Sequence, residues 1–193
     1  MKLKLFLVLA ALLAVGCDRE TSGPRIDVYD HPQVGLVVID AQKNFLDDQP
    51  GRLLATLDQL IEGAPSLGVD VIYVRSEHGG EFDPRLRGTH EPVFAKRRFD
   101  ALSNPDLDAY FRAHEIDHLA LVGARAESSI YYTALGAKNR GYKVAVVGDA
   151  VAAGSAPGRD TSLEALRRRG VEIVQSERAL AEWTRRKKYL SSR

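Results

Sequence analysis

The sequence predicts an α/β domain in the form of a three-layer α/β/α sandwich with a mostly parallel central sheet. Two observations lead to this fold class. Runs rich in Val, Ile and Leu alternate along the chain with segments whose apolar residues recur at helical spacing. The first of these runs, 34–39, lacks polar residues, as expected for a strand buried on both faces of a sheet. Strands that alternate with helices join into a parallel sheet covered on both sides.

The first half of the domain supplies two strands and the helix between them. After the strand at 34–39, apolar residues recur from Leu53 to Ala64 with helical spacing, and Gly68 ends that helix. The run at 69–74 is the second predicted strand, and a long, glycine-containing loop follows it.

The second half begins with a well-marked helix. Asn104 and Pro105 form a typical start, with Asn as the cap and Pro in the first turn. A strand at 119–122 follows, and then a helix over 128–140, which Gly141 ends. The remaining predicted elements are strands at 143–147 and 171–174 and helices at about 161–169 and 177–188, the last with Trp183 as a packing residue.

The N-terminal residues resemble a bacterial lipoprotein signal. Two lysines precede an apolar stretch over 5–15, which is too short to cross a bilayer as a helix, since that needs about 20 residues. Small residues then precede Cys17, as in the lipobox, whose cysteine becomes the lipidated first residue of the mature protein. The alternative is an ordinary signal peptide with an incidental cysteine.

This interpretation divides the chain into three parts. We expect a signal peptide over 1–16, a lipidated Cys17 with a polar tether over 17–32, and one domain over 33–190. The protein would then face the periplasm from the bacterial cell envelope, at the inner or the outer membrane.

Charge and cysteine content exclude several classes of function. The 27 Lys and Arg nearly balance the 26 Asp and Glu, so no excess charge favours a nucleic-acid partner. Cys17 is the only cysteine, which leaves no disulfide and no thiolate chemistry in the domain itself. No predicted strand precedes a glycine-rich phosphate-binding motif. The basic clusters at 167–169 and 185–188 are interpreted as solvated helix faces, with contact to a membrane surface as the alternative.

Two polar residues lie where an open parallel sheet binds its ligands, beyond the carboxyl ends of the strands. Asp40 directly follows the first strand, where a carboxylate is costly to bury unless it is paired or protonated. Ser129 stands at the start of the helix after the third strand, where the helix dipole favours a developing negative charge. Simple capping roles are the alternatives for both residues.

At this point the chain resembles the isochorismatase-like hydrolases, also called the cysteine hydrolase superfamily, over about residues 34–150. Each matching piece is weak, but their order and spacing together are fairly specific. The pieces are Val37-Val-Ile-Asp40-x-Gln42-x-x-Phe45, Lys96 in Val93-Phe-Ala-Lys96, the helix 104–111, the turn 123–129, Thr133 with Ala134, and the segment from Gly141 to Asp149-Ala150.

The resemblance implies a Rossmann-type topology and the hydrolysis of amides, carbamoyl groups or a vinyl ether in small molecules. It also implies a catalytic set of Asp40, Lys96 and Ser129, in which Ser129 occupies the position of the family's nucleophilic cysteine. A serine hydroxyl is a far weaker acid than a thiol and needs a base during attack. Two routes therefore remain open, namely attack by Ser129 and direct attack by water. The alternative is a catalytically inactive or atypical family member that acts as a small-molecule-binding or interaction module in the periplasm.

The resemblance further implies residues that contact the substrate: Gln42, Phe45, Arg125, Ser128 and Tyr132. The family usually has a small or aromatic residue at the position of Arg125. A guanidinium there can hold a substrate carboxylate or point to solvent, and the sequence leaves both open.

We expect no cofactor and no metal. The resemblance points away from the metal-dependent members, whose Asp-x-His pair has Ser76-Glu77-His78 in its place. The alternative is a zinc site assembled from Glu77, His78 and His90. The expected partners are a small-molecule substrate, the membrane through Cys17, and a second copy in a homo-oligomer.

Overall fold

The computed structural model describes residues 32–88 and 90–192, in which six strands form a single sheet. Each strand pairs in parallel with its neighbours, in the spatial order β3-β2-β1-β4-β5-β6. The strands are β1 (Gln33–Ile39), β2 (Asp70–Ser76), β3 (Val93–Lys96), β4 (Ile116–Gly123), β5 (Lys143–Val151) and β6 (Glu172–Val174).

Helices cover both faces of this sheet. They are α1 (Lys43–Leu46), α2 (Gly51–Ser66), α3 (Pro105–Ala113), α4 (Tyr131–Asn139), α5 (Ala156–Arg168) and α6 (Ser176–Ser191), with a 3₁₀ turn at Ala101–Ser103 and a π-helical turn at Ala126–Ile130. Residues of α2 and α6, including Trp183, pack in one apolar cluster, and residues of α3, α4 and α5 pack in a second. The predicted three-layer sandwich is confirmed.

Strand β1 forms the centre of both clusters because its side chains alternate between the two faces. Leu36 and Val38 belong to one cluster, whereas Val37 and Ile39 belong to the other, and all four are buried. This explains why the run at 34–39 has no polar position.

The strand order reverses between β1 and β4. The chain builds β1, β2 and β3 toward one edge, returns to place β4 on the other side of β1, and then continues outward to β6. The loops that leave β1 and β4 therefore run in opposite directions, which opens a crevice at their carboxyl ends. Asp40 and Ser129 both lie in the segments that follow these two strands.

The structure adds one strand that the sequence did not predict. Strand β3 is short, lies at the sheet edge and pairs only with β2. Only Lys96 of its four residues is buried, and the three apolar residues before it form a run too short to predict a strand. This strand places Lys96 at the carboxyl end of the sheet, as β1 places Asp40.

Three boundaries differ from those predicted. The segment around Ser129 begins with a π-helical turn at Ala126–Ile130, so this serine lies within a helical turn and not at its first residue. Helix α5 starts at Ala156 rather than near residue 161, because Ser155 caps it by accepting a hydrogen bond from Gly158 N. Strand β5 continues to Val151, which places Asp149 inside the strand.

The predicted signal peptide, Cys17 and all but the last residue of the predicted tether lie outside the described residues. Over 32–88 and 90–192, no helix has the length and apolar character needed to span a membrane.

Candidate active site

Asp40 is held at the end of β1 in a fixed and unusual conformation. Its backbone N–H donates to Val74 O over 2.8 Å, and its φ of 51° lies in the left-handed region. Aspartate tolerates that region better than most residues, and such strain is found most often at functional sites. The side chain is fully buried at the switch point of the sheet.

Lys96 connects the other two predicted catalytic residues. Its Nζ lies 2.9 Å from Asp40 Oδ2 and 3.0 Å from Ser129 Oγ. All three side chains are nearly closed off from solvent, with residue exposures of 0% for Asp40, 3% for Lys96 and 0% for Ser129. Residues far apart in sequence thus form one contiguous acid–amine–hydroxyl arrangement.

Gly123 brings the segment that carries Ser129 close to β1. Its φ of 119° is accessible to glycine only, and a Cβ at this position would collide with the carbonyl oxygen of Ile39. The next residue, Ala124, donates its N–H to the same Ile39 oxygen over 2.8 Å. The π-helical turn therefore begins directly beside Asp40.

The electrostatics of Lys96 are set by burial and by three charged groups. Burial lowers the pKa of Lys96 below the ordinary lysine value, and the Asp40 carboxylate opposes this by raising it. The positive charge of Arg125 lowers the pKa further, and the carboxylate of Asp100, the smallest of these influences, raises it. The net direction is downward. A lysine in this position can therefore give up its proton more easily than a lysine in water.

The carboxylate of Asp40 can accept further hydrogen bonds. The contact with Lys96 has the distance of an ion pair but an angle outside hydrogen-bond geometry, and within the described residues neither Asp40 oxygen accepts a regular hydrogen bond. A buried carboxylate without donors is costly. It can become satisfied when a ligand or a water molecule donates to it.

Gln42 is used to hold the loop after β2. Its Nε2 donates to Ser76 O and to Gly80 O, and its Oε1 accepts from Ser76 N. Both amide hydrogens are thus engaged within the protein. These bonds give Gln42 a structural role, and its predicted contact with substrate stays a prediction.

Phe45, Arg125 and Tyr132 come together with a residue that the sequence did not indicate, Phe99. The Arg125 guanidinium carbon lies 4.9 Å from the ring centroid of Phe45 and 5.3 Å from that of Phe99. Phe99 stacks on Tyr132 with a centroid distance of 5.8 Å. We call Phe45, Phe99, Arg125 and Tyr132 the arginine–aromatic cluster.

Ser128 is the fifth residue predicted to contact substrate. It is partly buried in the π-helical turn, where its backbone N–H donates to Arg125 O. The role of the Ser128 hydroxyl in substrate binding stays a prediction.

Thr133 fixes the position of Phe99. Its Oγ1 accepts from Ala101 N over 2.9 Å and contacts Phe99 O at 3.3 Å. This tie joins the start of α4 to the segment after β3. The sequence signal for Phe99 was an aromatic residue three positions after the predicted catalytic lysine, in a segment without apolar periodicity.

The three residues of the alternative zinc site are employed separately. Glu77 pairs with Arg97, His78 is exposed, and the His90 ring stacks on Phe82 with a centroid distance of 4.9 Å. Over the described ranges, no group of three or more His, Cys, Asp or Glu side chains is arranged to hold a metal ion.

Known proteins share both the sequence pattern and the fold. The model of the isochorismatase domain matches residues 34–178. Among curated proteins, none matches the chain.

Three solved structures illustrate the likeness in fold. An isochorismatase-like hydrolase from Alkaliphilus metalliredigens is 20% identical with a TM-score of 0.74, over 80% of this chain and 98% of that one. The nicotinamidase of Staphylococcus aureus is 20% identical with a TM-score of 0.66, over 74% and 99%. The N-carbamoylsarcosine amidase of Thermoplasma acidophilum is 24% identical with a TM-score of 0.63, over 75% and 96%. At these identities the likeness establishes the fold alone.

Proposed function

Because this chain belongs to the isochorismatase family, we propose that it hydrolyses an amide, carbamoyl or vinyl-ether type bond in a small organic molecule. The observation that carries the proposal is the continuous contact from Asp40 through Lys96 to Ser129, with distances of 2.9 Å and 3.0 Å. A carboxylate, an amine and a hydroxyl in that order provide an acid–base pair next to a nucleophile.

For an amide or carbamoyl bond, Ser129 attacks and Lys96 is its base. The neutral amine of Lys96 takes the proton of the Ser129 hydroxyl while Oγ bonds to the carbonyl carbon. Asp40 stabilises the ammonium that forms, as the carboxylate of a Ser-His-Asp triad stabilises the imidazolium. Burial lowers the pKa of Lys96, which supports the availability of the neutral amine.

The rest of the cycle returns each group to its starting state. Collapse of the tetrahedral intermediate breaks the carbonyl–nitrogen bond, and the Lys96 ammonium gives its proton to the leaving amine. Water then attacks the acyl group on Ser129, Lys96 accepts a proton from that water, and the same proton goes back to Oγ as the acid product leaves.

Direct attack by water is a second chemical route at the same site. It is supported by the Asp40 oxygens, which accept no regular hydrogen bond from the described residues and could orient a water molecule. In this route Asp40 accepts the proton of the water, and Ser129 only contacts the substrate. For a vinyl ether, a protonated Asp40 gives its proton to the vinyl carbon, and water adds to the oxocarbenium carbon while it returns a proton to Asp40. The hemiketal that forms then breaks into a carbonyl compound and an alcohol.

Binding without turnover is the second candidate function, and one observation favours it. The three catalytic groups are almost inaccessible to solvent, and Ser129 is fully buried. A substrate therefore needs a local rearrangement to reach Ser129, whereas a ligand held by the partly exposed Arg125 does not.

The test is a hydrolysis screen of the full-length protein on amides, carbamoyl compounds, esters and vinyl ethers. Ser129→Ala and Asp40→Asn are assayed beside it, with Ser66→Ala as the matched control, since Ser66 is exposed at the end of α2. Loss of turnover in Ser129→Ala and Asp40→Asn supports serine attack. Turnover that persists in Ser129→Ala but not in Asp40→Asn supports water attack. No turnover of any bond class leaves binding as the function.

Export and lipid anchoring at Cys17 complete the proposed function. The basic start, the apolar stretch over 5–15 and the small residues before Cys17 support them. In a bacterial host, the full-length protein should incorporate radiolabelled palmitate and sediment with membranes, whereas Cys17→Ser should do neither. Equal labelling of both proteins contradicts the anchor.

A further inference from the structure

The guanidinium of Arg125 lies over two aromatic rings. Its central carbon lies 4.9 Å from the Phe45 centroid and 5.3 Å from the Phe99 centroid, both within the range of cation–π contact. A guanidinium that contacts ring faces in this way can still use its N–H edge. That edge is the part that binds a planar carboxylate through two parallel hydrogen bonds.

No carboxylate of the protein uses this edge. Over the described residues, Arg125 forms no ion pair and no side-chain hydrogen bond. The nearest acid in sequence, Glu127, accepts from Gly154 N over 3.0 Å, and Asp100 lies 3.4 Å from Arg140. The acids that could neutralise Arg125 are therefore engaged elsewhere.

The two acids near the triad each have a basic partner. While Lys96 is charged, Asp40 pairs with it at 2.9 Å, and Asp100 pairs with Arg140 at 3.4 Å, so Arg125 is left without a paired acid. The charge of Arg125 is close enough to influence Lys96, because it contributes to the lowered pKa of that lysine. An anionic ligand beside Arg125 would remove the repulsion between the two cations.

The cluster is built from the segments that carry the triad. Phe45 follows Asp40 by five residues, Phe99 follows Lys96 by three, and Arg125 precedes Ser129 by four. A ligand held by Arg125 would therefore lie close to the segments that carry the catalytic groups.

We propose that Arg125 selects substrates that carry a free carboxylate, which it binds through its N–H edge while the reactive bond faces Ser129. This inference rests on the proposed function, because it names the substrate class of the same site. It assigns the positive charge of Arg125 to recognition of the substrate and leaves the chemical step to the triad.

Turnover of matched substrates tests the selectivity. Within the bond class that the screen identifies, the full-length protein is assayed on a pair with and without a carboxylate; for esters the pair is mono-4-nitrophenyl glutarate and 4-nitrophenyl valerate. The ratio of kcat/KM for acid over neutral substrate should fall at least about tenfold in Arg125→Gln. Arg125→Lys keeps the charge but loses the paired donors, so its ratio should lie between those of the wild type and Arg125→Gln.

Ligand binding separates this inference from the proposed function. Calorimetric titration with benzoate and with benzamide requires no turnover. If every substrate resists hydrolysis but Arg125→Gln weakens benzoate binding at least about tenfold more than benzamide binding, the hydrolase proposal fails and the carboxylate site stands. Arg185→Gln, on the exposed face of α6, is the control and should bind benzoate and benzamide with the affinities of the wild type. The inference is overturned when neither the kcat/KM ratio nor the preference for benzoate depends on Arg125.

Discussion

Lys96 Nζ lies 3.0 Å from Ser129 Oγ, in a site where both side chains are almost completely buried. The contact spans 33 residues of sequence and joins the end of the edge strand β3 to the turn after β4. Lysine is rarely buried, and a buried amine loses its proton more readily than an exposed one. The position of this lysine therefore determines the pH dependence of the site and part of the stability of the fold.

The rate of hydrolysis should rise with pH. The neutral amine of Lys96 is the proposed base, and burial lowers its pKa, so kcat/KM should level off below pH 10.5, the ordinary lysine value. The measurement is kcat/KM from pH 6 to 10.5 with a substrate that does not titrate in this range. In Arg125→Gln the rise should move to higher pH, because the charge of Arg125 lowers the pKa of Lys96. A rate that is flat or falls across this range contradicts the role of Lys96 as base.

Removal of Lys96 alone should destabilise the protein. In Lys96→Met the buried Asp40 loses its ion-pair partner at 2.9 Å, so the free energy of unfolding at pH 7 should drop by roughly 3 kcal/mol. The double variant Asp40→Asn with Lys96→Met removes both charges and should recover most of this loss. Urea unfolding of the two variants measures the difference. Lys188→Met, on an exposed position of α6, should change the stability by less than about 0.5 kcal/mol. A single variant as stable as the double variant contradicts the pairing.

The sequence was sufficient to place Asp40 and Ser129 beyond the carboxyl ends of the strands. Asp40 follows the apolar run that became β1, and Ser129 follows the strand that became β4, so the topology of a parallel sheet brings their segments together. The position of Lys96 could be predicted only from the resemblance to known proteins. Its strand β3 lies at the sheet edge and has only one buried residue, so no pattern typical of a buried strand precedes the lysine.

The sequence could not predict the contacts that depend on distant segments. Gln42 matches a family motif, but its amide is bonded to loop atoms 34 and 38 residues away. The sequence leaves two alternatives for Arg125 because its ring contacts depend on Phe45 in α1 and on Phe99 in the segment after β3. Such contacts are decided by tertiary packing, which local patterns do not contain.

Gly123→Ala should be strongly destabilising. The φ of 119° and the collision of a Cβ with the Ile39 oxygen make the native backbone inaccessible to alanine, so we expect a loss of about 3 kcal/mol or more. Gly51→Ala is the matched control, because a Cβ at the start of α2 meets nothing within 4 Å. It should be neutral or stabilise by a few tenths of a kcal/mol. Thermal unfolding of both variants gives the comparison, and equal midpoints contradict the close approach of β4 to β1.

Tyr142 should make the fold sensitive to alkaline pH. Burial and the hydrogen bond from its hydroxyl to Asp108, 2.9 Å long, raise the pKa of Tyr142 to about 12. The unfolded chain ionises this tyrosine near pH 10, so the stabilisation is complete below that pH and is lost as pH rises toward 12. Urea unfolding at pH 8 and pH 11 should show a smaller decrease for Tyr142→Phe than for the wild type. Equal decreases in the two proteins contradict this role of Tyr142.

Ser129→Cys tests whether the charge of Lys96 acts on the nucleophile. The ammonium 3.0 Å from the serine oxygen should lower the pKa of a thiol at this position below its ordinary value of about 8.5. Thiolate absorbance at 240 nm against pH measures it, in a Cys17→Ser background that leaves a single thiol. Ser66→Cys in the same background is the exposed control and should titrate near the ordinary value. A thiol at position 129 that titrates above this control means that burial outweighs the charge of Lys96. That result would contradict a charged ammonium beside the nucleophile, and it would agree with the neutral amine that acts as base in the route of serine attack.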